Sequence, residues 1–196
     1  MEVFIIGSGE SLKGFDYSKL NGKETIAVNK VIQAIPHATY FLTADSGIAT
    51  NVNNWTKDST AIKVLAYSAT HKRLHRFQSC WSSFDVTMKY GSGNPTPDIG
   101  FRFGEFQPGQ NSGFCALQFA VIMGYSPIYL LGFDLSGGHL FDIKKRTWAR
   151  RLDEFYNHFK KGLLQLRNTN VKVISCSPIS RLNDIIEYKN IDEVLA

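Results

Sequence analysis

The first twelve residues constrain the fold more than any other stretch of the chain. Residues 3–6 are Val-Phe-Ile-Ile, an apolar run without polar alternation, and Gly7 and Gly9 follow it. Such a run is typical of a strand buried on both faces, as in the middle of a parallel sheet. The glycines permit a sharp turn and a close approach of the backbone to a ligand. We therefore predict a central strand that ends in a ligand-binding turn.

The spacing of this glycine turn argues against a dinucleotide site. A G-x-G-x-x-G turn needs a third glycine at position 12, where this chain has Leu12. The turn then offers its amides and the hydroxyls of Ser8 and Ser11 to a phosphate or a sugar. We predict that Gly7, Ser8, Gly9 and Ser11 bind a nucleotide, the alternative being a tight strand-to-helix turn that binds nothing.

Apolar, β-branched runs recur along the chain and alternate with helical segments. We predict further strands at residues 25–28, 40–43, 61–66, 127–131 and 171–175, with long helices at 114–123 and 148–167 and closing helices at 180–188 and 191–195. Alternating strands and helices indicate an α/β fold. We expect residues 1–196 to form one domain, a three-layer sandwich with a mainly parallel, Rossmann-like sheet.

Polar residues follow several of these strands. Asn29, Asp45 and Asp134 stand just after predicted strand ends, which face the ligand crevice of an open α/β sheet. The two aspartates could share a metal ion, but lone strand-end aspartates more often hydrogen-bond ribose or backbone. Because the chain has no Asp-x-Asp pair, we predict no metal and no resident cofactor.

A second anion site is predicted where the helix at residues 114–123 begins. Asn111, Ser112 and Gly113 precede this helix, which is apolar on nearly all sides. A buried helix favours phosphate at its first turn, through its free amides and its dipole.

Two segments look like lids over the crevice. Residues 84–110 are rich in Gly, Pro and aromatic residues without periodicity, and residues 135–147 form a shorter, basic segment. Long loops in compact domains are usually functional. We predict a lid or mobile loop at 84–110 and a short lid at 135–147.

The composition is that of a water-soluble globular protein. Of the 196 residues 43% are hydrophobic and 20% are charged, and the net charge is +5. A basic surface attracts anions such as nucleotides, anionic glycans or nucleic acid. The alternative is that the positive charge only keeps the protein soluble. No segment resembles a signal peptide or a membrane span, so we expect a cytoplasmic protein. A homo-oligomer is compatible with the sequence.

Several motifs together resemble a known family, and they are residues 5–13, 16–18, 28–29, 111–113, 124–125, 128–134 and 176–178. In the same order along the chain they are similar to motifs of the bacterial sialyltransferases of glycosyltransferase family 42, which use CMP-sialic acid. The chain is similar, less specifically, to the proteins grouped with archaeal 6-hydroxymethylpterin diphosphokinase.

The resemblance implies a GT-A-like fold and roles for individual residues. Ser8, in place of a family asparagine, and Asn29 would contact the donor, and Asp134 matches the family's strand-end aspartate. The family's two tyrosines that stabilise the leaving phosphate correspond to Ser136 and His139, and the family's longer lid carries its catalytic histidine. The residues matching the nucleotide-lining Thr-Ser-Gly are Asn111, Ser112 and Gly113.

Inverting transfer needs a base to take the acceptor's proton, and donors to neutralise the leaving phosphate. His139 is the predicted base or leaving-group ligand because it lies in a Gly-Gly-His loop just after a strand end. Asp134, Asp45 and His158 are the alternatives. The basic residues 144–146 would stabilise charge in the absence of a metal. We also predict that the basic segments 71–76 and 144–151 meet an anionic acceptor, the alternative for 71–76 being a solvated helix face.

The sequence leads to two functional hypotheses. The first is a metal-independent glycosyltransferase that uses a nucleotide sugar, CMP-sialic acid-like or other, and an acceptor hydroxyl on a glycan or a hydroxylated DNA base. The second is a nucleotide-binding protein of the same fold without transferase activity, or a pterin diphosphokinase-like enzyme.

Overall fold

The computed structural model describes residues 1–68, 74–90, 111–136, 140 and 149–196. Within these ranges seven strands pair in parallel in the order β5-β4-β3-β2-β1-β6-β7. The predicted α/β class and parallel sheet are confirmed. The strands are β1 (Val3–Ile6), β2 (Thr25–Val28), β3 (Tyr40–Thr43), β4 (Ile62–Ser68), β5 (Val86–Tyr90), β6 (Ile128–Leu131) and β7 (Val173–Ser175).

Helices cover both faces of the sheet. α4 and α5 pack with one core cluster, whereas α2, α6 and several 3-10 turns border the cluster on the opposite face. The helices are α1 (Ser46–Ala49), α2 (Val52–Trp55), α3 (Leu74–Gln78), α4 (Ser112–Ile122), α5 (Ala149–Leu166) and α6 (Ile191–Leu195).

The unbroken apolar run of β1 is explained by this layering. Val3 and Ile5 belong to the core on the α4–α5 side, and Phe4 and Ile6 to the core on the other side. All four side chains are fully buried. Successive side chains of a strand point to opposite faces, so a strand covered on both faces needs apolar residues at every position.

The order of the strands reverses at β1, and this reversal places a crevice at the carboxyl end of β1. β2 to β5 extend to one side of β1, and β6 and β7 lie on the other side. Such a reversal of strand order is a topological switch point, and ligands of open α/β sheets bind outside the carboxyl ends of the strands there.

Two segments differ from their sequence-based predictions. Residues 86–90, at the start of the predicted lid, form edge strand β5, while 91–110 lie outside the described residues. The predicted helix at 180–188 is only a 3-10 turn (Arg181–Asp184) followed by extended chain. The amide of Ser175 donates to the carbonyl of Glu187 (2.9 Å), and the amide of Lys189 donates to the carbonyl of Ser175 (3.0 Å). These bonds cap the open edge of β7, a need that outweighs local helix preference.

The three cysteines are small core residues. Cys80, Cys115 and Cys176 are free and buried, and burial raises the pKa of the Cys176 thiol to about 12. None of the helices in the described ranges has the length and apolar character needed to cross a bilayer.

Candidate functional site

The site begins at Asn29, directly after β2. Its backbone adopts a left-handed conformation, with φ of 56°, which asparagine tolerates better than most residues. The Thr43 hydroxyl accepts from the amide of Asp45 (3.1 Å) and donates to Asn29 Oδ1 (2.8 Å). This bond uses the hydrogen of the Thr43 hydroxyl and holds the Asn29 side chain by its oxygen. Its Nδ2 group finds no acceptor among the described residues.

The start of α4 is hydrogen-bonded to the chain at the carboxyl end of β3, the strand next to β2. The hydroxyl of Ser112 accepts a hydrogen bond from the amide of Ala44 (2.9 Å), directly after β3. Asn111 caps α4, its Oδ1 accepting from the amide of Phe114 (3.1 Å). Asn111 is only 7% exposed, and its Nδ2 is a buried donor without a partner in the described part of the chain. Unpaired buried donors are rare in folded proteins and point to a missing ligand or water.

These groups form a set of donors. Asn29 Nδ2, Asn111 Nδ2 and the hydroxyl hydrogen of Ser112 have no acceptor within the described part of the chain, and their carbonyl and hydroxyl oxygens are already engaged. The positive end of the α4 dipole adds to them. The arrangement suits a ligand rich in acceptors, such as the phosphate, ribose and base carbonyl of a nucleotide.

The glycine turn after β1 uses most of its amides inside the protein. The amide of Gly7 donates to the carbonyl of Leu131 and that of Gly9 to the carbonyl of Gly132, both at 2.8 Å. The amide of Ser11 donates to Asp134 Oδ2, also at 2.8 Å. These three amides therefore join β1 to β6. We expected them to face a phosphate, and ligand contacts of these residues would instead involve other atoms.

Close packing explains two of the glycines at the site. A Cβ on Gly7 would lie 2.7 Å from the carbonyl oxygen of Gly132, and a Cβ on Gly113 would lie 2.5 Å from the ring of Phe133. The Phe133 ring also lies within 3.2 Å of that Gly7 Cβ position. Phe133 is thus in close contact with both the glycine turn and the start of α4, which brings the two predicted nucleotide-binding segments together.

Both predicted catalytic aspartates make internal hydrogen bonds. Asp134 is 2% exposed and accepts from the hydroxyls of Ser11 (2.5 Å) and Ser177 (2.6 Å) as well as the Ser11 amide. Asp45 caps α1 by accepting from the amides of Gly47 and Ile48. A catalytic role for either stays a prediction. Among the described residues no group of three or more His, Cys, Asp or Glu side chains could hold a metal ion.

The predicted short lid is described only in part. Ser136, a predicted donor contact, is exposed and follows Leu135, whose φ is 52°. The amide of Leu140 donates to the carbonyl of Ser8 at 2.8 Å, so the chain returns to the glycine turn at this point. His139 and residues 141–148, with the basic residues 144–146, lie outside the described residues.

His158, the alternative base, belongs to the packing between α4 and α5. Its ring centroid lies 6.3 Å from that of Phe114, and its Nδ1 is buried without a partner among the residues that the structure describes. Burial lowers the pKa of His158. The neighbouring Phe159 packs edge-on against Phe114 at 5.4 Å. These contacts describe a helix-packing residue.

Sequence reasoning missed two residues that organise this region. Thr43 orients Asn29, and Ser177 binds Asp134. Their only signal was position, since each lies at or just after the carboxyl end of a strand.

The basic segments predicted to meet an anionic acceptor are largely outside the described ranges. Residues 71–76 are described from Leu74 onward, where α3 begins, and residues 144–151 from 149 onward, where α5 begins. A DNA acceptor therefore stays an untested prediction.

Comparison with known proteins establishes the fold. No protein-family model matches the chain, and no curated protein does. The structure is similar to that of the sialyltransferase CstII from Campylobacter jejuni in complex with the substrate analogue CMP-3FNeuAc, with a TM-score of 0.62 and 22% identity over 95% of this chain and 85% of that one. A CstII complex with a trisaccharide acceptor and CMP matches with a TM-score of 0.63 and 21% identity over 96% of this chain and 86% of that one.

A structure of monomeric CstII has a TM-score of 0.62 and 23% identity, covering 95% of this chain and 85% of that chain. The expected structural resemblance to the sialyltransferases is confirmed, because nearly the whole chain follows the CstII fold. At this level of identity the likeness concerns the fold, and the chemistry depends on the chain's own residues.

Proposed function

We propose that this chain is a glycosyltransferase that binds a nucleotide-sugar donor at the carboxyl ends of β1, β2 and β3 and transfers the sugar to a hydroxyl group of a glycan. The observation that carries the proposal is the unpaired donor set formed by Asn29, Ser112 and Asn111 within the described ranges. It lies beside the switch point of a sheet whose fold matches a sialyltransferase.

The chemistry of this donor set supports a nucleotide ligand. A nucleoside monophosphate presents phosphate, ribose and base oxygens, all of which accept hydrogen bonds. A buried donor left unpaired costs about 1–3 kcal/mol, so an accepting ligand atom at Asn111 Nδ2 would recover that free energy on binding. A cytidine or uridine nucleotide, whose bases carry an accepting carbonyl, satisfies these requirements.

The transfer step would proceed with inversion and without a metal. The acceptor hydroxyl loses its proton to a base as it bonds to the anomeric carbon, and the nucleotide phosphate leaves with the bonding electrons. His139 is our candidate for the base or for a ligand of the leaving phosphate. The positive end of α4 would stabilise the charge on that phosphate.

Calorimetry tests the binding part of this proposal. CMP and UMP are titrated into the protein with and without EDTA, and a nucleoside without phosphate serves as the control for the phosphate contribution. We expect nucleotide binding that EDTA leaves unchanged. Binding that disappears in EDTA would contradict the metal-independent mechanism. Release of free sugar from CMP-sialic acid would then separate an enzyme from a nucleotide-binding protein without activity.

Asn111→Asp should weaken nucleotide binding at least tenfold, because removal of a donor to a charged group is worth about 1.5–3 kcal/mol. The substitution retains an oxygen that caps α4 and replaces the unpaired donor by a negative oxygen facing the ligand. Asn190→Asp is the matched control, because Asn190 caps α6 by accepting from the amide of Asp192. Equal affinities in the two variants would remove Asn111 from the site.

Asn29→Gly should weaken nucleotide binding by about 1–3 kcal/mol through loss of one buried hydrogen bond to the ligand. Glycine is the appropriate replacement because φ is positive at this position, and alanine would add backbone strain. Calorimetry gives the affinity, and urea unfolding shows whether the variant is folded. A folded variant with wild-type affinity would exclude contact between the ligand and Asn29.

A further inference from the structure

The carboxylate of Asp134 joins the carboxyl ends of three adjacent strands. Asp134 follows β6, Ser11 follows β1, and Ser177 follows β7, and these strands are neighbours in the sheet. Oδ2 accepts from the Ser11 amide (2.8 Å), whereas Oδ1 accepts from the hydroxyls of Ser11 (2.5 Å) and Ser177 (2.6 Å). The carboxylate therefore links the glycine turn to the loop after β7.

Neutral donors balance this buried charge. No lysine or arginine of the described residues forms an ion pair with Asp134. Hydrogen bonds to a charged acceptor are stronger than those between neutral groups, and losing one leaves part of the buried charge without compensation. The Ser177 hydroxyl is one of these donors, so it stabilises the orientation of the whole carboxylate.

The glycine turn depends on that orientation. Ser11 makes two of its hydrogen bonds to Asp134, and Gly9 is so close that a Cβ there would lie 2.6 Å from the Asp134 carboxyl carbon. A rotation of the carboxylate would move Ser11 and disturb the contact with Gly9. The Ser11 hydroxyl donates to Asp134, so Ser8 is the turn residue whose hydroxyl we predict to face the donor.

We infer that Ser177 is a positioning residue for the nucleotide site and acts only through Asp134. Ser177 is fully buried, with no exposed surface, so it cannot contact a ligand itself. Its hydroxyl holds Asp134, and Asp134 holds the glycine turn in the conformation that meets the nucleotide. The effect on affinity rests on the proposed nucleotide site, whereas the effect on the turn does not.

The test compares Ser177→Ala with Ser180→Ala. The Ser180 hydroxyl donates to the carbonyl of Phe133 at 2.6 Å and accepts from the amide of Leu182 at 3.1 Å. The control therefore loses two buried hydrogen bonds close to Asp134, neither of which involves its carboxylate. Two quantities are measured in each variant: the CMP dissociation constant, and the hydrogen-exchange rate of the Ser11 amide.

For Ser177→Ala we expect exchange of the Ser11 amide to accelerate about tenfold, and the CMP dissociation constant to rise about three- to tenfold. Ser180→Ala should leave both quantities near wild type while lowering the urea midpoint. In an Asp134→Asn background, Ser177→Ala should have almost no further effect on exchange, because residues that act through one interaction are not additive.

Unchanged protection of the Ser11 amide in Ser177→Ala would overturn the inference. Equal effects of Ser180→Ala, or full additivity with Asp134→Asn, would do so as well. Failure of the wild-type protein to bind CMP would instead contradict the proposed function, and the exchange measurement would still decide whether Ser177 holds the turn.

Discussion

Replacing His139 by alanine should lower the rate of sugar transfer by about 10²–10⁴-fold, the usual contribution of a general base. An imidazole accepts a proton near neutral pH and can also hydrogen-bond a departing phosphate. The next described residue, Leu140, is hydrogen-bonded to Ser8, so the chain reaches the glycine turn at this point. The measurement is the initial rate of transfer from CMP-sialic acid to a glycan acceptor, together with CMP affinity, which should remain nearly unchanged.

His158→Ala is the matched control for that loss. His158 is a half-buried histidine of α5 that packs near Phe114. Its loss should lower stability and leave turnover close to wild type. A His139→Ala variant that retains full activity would show that His139 is only a loop residue. The base would then be sought at Asp45 or Asp134, or at His158 if the control variant also loses turnover.

Gly9→Ala should destabilise the fold by about 2–4 kcal/mol. Overpacking substitutions usually cost about 1–3 kcal/mol, so this effect would be among the larger ones. A Cβ on Gly9 would lie 2.6 Å from both the Asp134 carboxyl group and the carbonyl oxygen of Gly132. Neither neighbour can move easily. The Gly132 carbonyl accepts a hydrogen bond from the Gly9 amide, and the carboxylate is held by three hydrogen bonds. Urea unfolding measures the loss.

Gly22→Ala separates this clash from simple backbone strain. Gly22 has φ of +75°, and among the described residues a Cβ added there would have no atom within 4 Å beyond Gly22 itself and its two chain neighbours. Alanine there should cost only about 1 kcal/mol, the strain of a left-handed alanine. If Gly9→Ala were no more destabilising than Gly22→Ala, the turn would be free to adjust, and the tight contact with Asp134 would not constrain it.

Local sequence was sufficient for the strands of the sheet centre. β2 and β3 begin and end where the sequence predicts, because strands buried on both faces need continuous apolar runs. The 3-10 turn at Tyr17–Leu20 was also predictable, since Asp16 caps it by accepting from the amide of Ser18 (3.0 Å). Edge strand β5 was missed because its exposed residues lack this apolar pattern and its pairing with β4 is a long-range contact.

For the candidate site, too, the sequence determined some features and the tertiary structure decided others. The sequence alone identified Asn29, Asn111, Ser112 and the glycine turn, because strand ends, helix starts and glycine spacing are local features. Only the tertiary structure decided which atoms of these residues are left for a ligand. The amides of the turn are taken by β6 and Asp134, and Thr43 orients Asn29. Such pairings join residues distant in the chain, so hydrogen-bond satisfaction depends on the packing of strands that no local pattern encodes.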